Sequence, residues 1–61
     1  MKITKEEFIK ARNNSYDAMI YCQYLIDSAI TETEKNVARC LYNAHWGLYL
    51  MLNEKVKELN K

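Results

Sequence analysis

Between Arg39 and Leu48 the chain reads RCLYNAHWGL, which puts Cys40, His45 and Trp46 within seven positions. A thiol beside an imidazole is the pairing of a nucleophile and its base, and both groups also ligate metals. The spacing argues against both uses. Five positions turn a helix by about 140°, so Cys40 and His45 point to different faces. Zinc sites in folded domains usually gather four closely spaced ligands. The chain has two cysteines and one histidine, with no C-x-x-C or H-E-x-x-H. His45 therefore reads as a packed residue at the edge of an apolar stripe, with a pH-sensitive role as the alternative. Cys22 and Cys40 read as reduced, partly buried thiols. A bridge between them is the competing assignment, because a hairpin would bring them to one level.

No glycine-rich phosphate loop, no Ser–His–Asp set and no grouped carboxylates are present. Glu6 with Lys10 and Glu54 with Glu58 are i,i+4 pairs on solvent faces, and Asp17 with Tyr21 could share a surface hydrogen bond. The sequence thus reads as non-enzymatic, with no cofactor and no metal.

Size and composition narrow the rest. Sixty-one residues allow one small domain, and 49% hydrophobic content is too high for a disordered tail. A single core this small rarely supplies more than about 3–5 kcal/mol, so a staple or a second subunit is expected. Nine Lys/Arg against eight Asp/Glu leave a net charge of +1, without the concentrated positive excess of a strong nucleic-acid binder. MKITKEEF lacks the apolar region of a signal peptide. The longest apolar run, WGLYLML at 46–52, falls far short of the roughly 20 residues that span a bilayer. A cytoplasmic protein with reduced thiols and no membrane partner is the expectation.

What must position these side chains is helix. Proline is absent and Gly47 is the sole glycine. Thr4 with Glu7 has capping-box spacing, as does Thr31 with Glu34; Thr33 is an alternative cap. Phe8, Ala11, Ser15, Ala18, Cys22, Leu25 and Ala29 recur at alternating steps of three and four, a seam of mostly small residues flanked by Met19 and Ile26. Val37, Leu41, Ala44, Leu48, Met51, Leu52 and Leu59 form a second stripe. Were the helix continuous, the two stripes would be out of phase by roughly 80°. Ile30, Thr31 and Thr33 also resist helix at that point. These signals predict an all-α, antiparallel two-helix hairpin: a single domain over 1–61, with helix about 4–30, a corner about 30–33 and helix about 33–60; a single kinked helix in a larger coiled coil is the alternative.

A corner at residue 31 sets Leu25 against Val37, Ala18 against Ala44, Ser15 against Gly47, and Phe8 near Leu52 and Glu54. Apolar material is left over. Ile9, Tyr16 and Ile20 on the first helix, with Tyr42, Tyr49 and Val56 on the second, form ridges beside that core. A second copy covering them would complete a four-helix bundle, so a homodimer is expected.

Trp46 falls on the far side of the second helix from Leu41 and Leu48, with Leu50 beside it. Arg39, Asn43, Asn53 and Lys57 surround the pair. An apolar centre inside a polar rim is the anatomy of a protein-binding hot spot. Asp17, Tyr21 and Tyr24 offer a polar–aromatic face on the first helix. The competing reading puts Trp46 and Leu50 inside the dimer interface.

The expected function is a small dimeric helical adaptor or inhibitor that occupies a surface of a larger protein. Compact phage and mobile-element products that block host enzymes or defence systems often have this size. The alternative is a hairpin dimer that binds structured RNA or DNA, with Lys35, Arg39 and Lys57 on phosphates and Trp46 or Tyr42 stacking on bases. In length and small-residue seam the chain resembles the repressor-of-primer family, dimers of helical hairpins that bind paired RNA loops. The resemblance is one of plan, and no residue corresponds.

Overall fold

Each helix begins where a threonine is followed three residues later by a glutamate. In the computed structural model, which describes residues 2–60, helix α1 runs Lys5–Ser28 and helix α2 runs Glu32–Leu59. Thr4 Oγ1 accepts from the Glu7 backbone N–H at 3.2 Å, and Glu7 Oε1 accepts from the Thr4 N–H at 3.2 Å. Thr31 and Glu34 repeat the reciprocal arrangement at 3.1 and 2.9 Å. Both boxes satisfy backbone donors that a helix start would otherwise leave unpaired.

The chain reverses over residues 29–31, beginning one position and ending two positions earlier than the sequence predicts. Ala29 (φ −65°, ψ 137°) and Thr31 (φ −100°, ψ 159°) are extended, and no described residue has positive φ. The corner therefore needs no glycine: α1 stops at Ser28 and the Thr31 box starts α2. The two helices pack along their length in a particle of 45 × 20 × 13 Å.

The α1 face is the expected one. Ser15, Met19 and Cys22 are buried, and Phe8, Ala11, Ala18, Leu25, Ile26 and Ala29 are half-buried. The α2 face is not. Its contact stripe is Ala38, Tyr42, His45, Tyr49, Leu52 and Val56, with Ala38 and Val56 buried and the other four half-buried. Of the aliphatic stripe assigned to the core only Leu52 keeps its place, and the rest is turned outward: Val37 is 56% exposed, Leu41 44%, Leu48 45%, Met51 73% and Leu59 41%, with Ala44 also exposed. The two stripes are one residue, or 100°, apart. Small side chains on α1 leave room that the larger Tyr42, His45 and Tyr49 occupy. Tyrosine at such a seam can bury its ring and still send its hydroxyl to water.

The register is also corrected. Arg12 Nη1 donates to Asn53 Oδ1 at 3.3 Å, and the rings of Tyr16 and Tyr49 are 5.8 Å apart. These pairs displace the expected alignment by nearly one helical turn. Gly47 does not face Ser15; a Cβ placed on it would meet nothing within 4 Å. No large side chain is wholly buried among the described residues. The hairpin core is thin, as a chain of this size requires.

Candidate functional site

The rotation of α2 decides which side chains share a surface. Trp46 and Leu50 lie on one flank of α2, each 45% exposed. Arg39, Asn43 and Lys57, all exposed, share that flank, with half-buried Asn53 where it meets α1. The indole of Trp46 stacks on the Tyr49 ring at 6.0 Å with 17° between planes, and Tyr49 meets Tyr16 across the hairpin. Three aromatic rings from two helices thus form one continuous array. Tyr49, half-buried, holds Trp46 from beneath without covering it.

Three of the four polar groups around the array, Arg39, Asn53 and Lys57, are already engaged. Asn53 accepts from Arg12, which also donates to Asn13 Oδ1 at 3.4 Å. Arg39 pairs with Glu32 at 3.6 Å and donates to Asn36 at 3.5 Å. Lys57 pairs with Glu54 and Lys55 with Glu58, each at 3.6 Å. All three ion pairs face solvent, where such pairs are weak and exchangeable.

The second group of predicted partner residues lies elsewhere. Tyr21 and Tyr24 stack on each other at 6.2 Å. Five positions separate Tyr21 from Tyr16, about 140° around α1, so this pair and Asp17 face away from Trp46. The array is joined instead by the exposed Tyr16 and Ile20, which with Met19, Gln23 and Tyr42 line a shallow groove of about 270 Å³.

The residues expected to meet a second copy are divided. Val56 is buried, and Ile9, Tyr42 and Tyr49 are half-buried; of the six only Tyr16 and Ile20 are exposed. Val56, Tyr42 and Tyr49 lie on the contact stripe of α2 itself. A second groove, about 430 Å³, lies on the other side of the hairpin near the corner, between Leu25 of α1 with its C-cap Ala29 and Val37 and Leu41 of α2. Periodicity gives no sign of this groove, because it assigns Val37 and Leu41 to the interior.

Neither cysteine is bridged. Cys22 is buried and Cys40 exposed, so the expected partial burial holds for neither thiol. His45 is half-buried in the contact stripe. Among the described residues no three of His, Cys, Asp and Glu gather as a metal site would require, and no helix is long and apolar enough to cross a membrane. Comparison with protein-family models, curated proteins and solved structures finds no match for the chain.

Proposed function

We propose that the chain is a small non-enzymatic interaction module, an adaptor or inhibitor that seats the Trp46 face on a larger protein. The observation that carries this reading is the aromatic array. Trp46 is half-exposed yet stacked on Tyr49, which is itself braced against Tyr16 of the other helix. An indole held in place before binding loses little conformational freedom on docking, which is what makes an aromatic anchor effective. Leu50 extends the apolar centre, and Arg39, Asn43 and Lys57 supply a polar rim. The complementary surface is an apolar pocket that takes an indole, edged by carboxylates or carbonyls.

Nucleic acid is less well served. Arg39 and Lys57 would have to leave Glu32 and Glu54 to reach phosphates, and the net charge is only +1. The test is affinity capture from nuclease-treated lysate in high salt, comparing the chain with its Trp46→Ala variant. A specific protein should be retained by the parent chain, and its affinity for the purified variant should be lower by at least about 2 kcal/mol. Equal affinity for both chains, or retention that nuclease or salt abolishes, would overturn the proposal.

A further inference from the structure

We infer that two copies of this chain associate through the outward stripe of α2, antiparallel, about a two-fold axis at Ala44. The stripe reads Val37, Leu41, Ala44, Leu48, Met51, at steps of four and three, the spacing of a helix–helix seam. All five residues are exposed in the hairpin. None is part of the Trp46 array, which lies roughly 140–180° around the same helix.

The occupant follows from the order of the side chains. An interface with two-fold symmetry must be self-complementary: if one position meets another, the reverse contact must also exist. This stripe reads nearly the same from either end. Turned over about Ala44, Leu41 meets Leu48 of the second copy and Val37 meets its Met51. The small Ala44 lies at the centre, where the axes come closest. One step further out, Glu34 meets Lys55 at both ends. A parallel pairing would put Glu34 against Glu34 and Lys55 against Lys55, so charge selects the antiparallel arrangement. Lys55 pairs with its exposed neighbour Glu58 at 3.6 Å, a weak contact that can exchange. On the same side, the groove between Leu25 and Val37 lies where Met51 of the second copy would enter.

Surface area points the same way. The hairpin exposes 4879 Å² at a mass of 7.3 kDa. A compact monomer of that mass exposes about 4,200 Å². The excess, about 700 Å², follows from the thin, elongated hairpin and leaves apolar surface that a second copy can cover.

Sedimentation equilibrium tests the association, and cysteine cross-linking tests its geometry. The parent chain should sediment at twice 7.3 kDa at high micromolar concentration. Leu41→Ser with Leu48→Ser should raise the dissociation constant at least about a hundredfold, whether or not the separated hairpin stays helical. In a background carrying Cys22→Ser and Cys40→Ser, Ala44→Cys should oxidise to a covalent pair, while Gly47→Cys, whose two copies would stand about 9 Å apart along the helix axis, should not. Trp46→Ala should leave the mass unchanged, which separates this test from that of the Trp46 face. A monomeric parent chain, an undiminished association after the double serine change, or cross-linking at position 47 in preference to 44 would overturn the inference.

Discussion

Gly47 and Glu34 are residues whose local surroundings give definite expectations. Glycine inside a helix costs conformational entropy, and at position 47 an added methyl meets open space. Gly47→Ala should therefore stabilise the hairpin by about 1 kcal/mol. For a domain of this size that raises the thermal midpoint by about 4–8 °C, readable by circular dichroism. The Glu34 carboxylate accepts from the Thr31 N–H at 2.9 Å, the Thr31 hydroxyl at 3.0 Å and the Ile30 N–H at 3.3 Å. These bonds, the Thr31 backbone bond foremost, lower its pKa from the ordinary carboxylate value. A carboxylate with a lowered folded-state pKa adds stability above its unfolded value and loses it as pH falls through the folded one. The stability advantage of the parent chain over Glu34→Gln should thus be full at neutral pH and vanish under acid. Denaturant titrations across the carboxylate range measure it; a pH-independent difference would mean that the charge plays no part in the cap.

The two helices differ in how far their sequence determined their packing. Both capping boxes are local, so Thr4, Glu7, Thr31 and Glu34 could be placed without knowing the fold. The α1 seam was equally plain, because its neighbouring phases are polar or interrupted. On α2 two stripes compete one residue apart, and amphipathicity favours the more aliphatic one. The actual choice depends on α1: a face built on the small Ser15, Ala18 and Cys22 suits a bulkier stripe opposite, that of Tyr42, His45 and Tyr49. Periodicity in α2 alone carries no such information. Trp46 and Leu50 were recognisable as exposed, but their link through Tyr49 to Tyr16 depends on rotation and register together. The same thin seam makes Ala38 sensitive. It is buried where the helices meet, so Ala38→Leu should force them apart and cost about 1–3 kcal/mol by chemical denaturation.

Across the whole molecule, the rotation of α2 produces a division of surfaces. One side carries tyrosines, the indole and exchangeable charges; the other carries aliphatic side chains in a self-complementary order. Had the aliphatic stripe closed the hairpin, α2 would have spent its most hydrophobic face within one chain. Instead α2 closes the hairpin with bulkier and more amphipathic residues, and the face best suited to another helix remains available. On this arrangement, pairing of copies and capture of a larger protein would use opposite flanks of α2 and need not compete.

The three-residue corner also governs how the structure yields to mechanical load. Since one short turn joins two long helices, Lys5 and Leu59 lie at the same pole, far from Thr31. A pull between those ends would load the Phe8 and Val56 level first, then Arg12 with Asn53, then Tyr16 with Tyr49, peeling the helices apart in sequence. Tension drawn across the ends would meet little resistance, whereas a force along the helix axes would have to slide every contact at once.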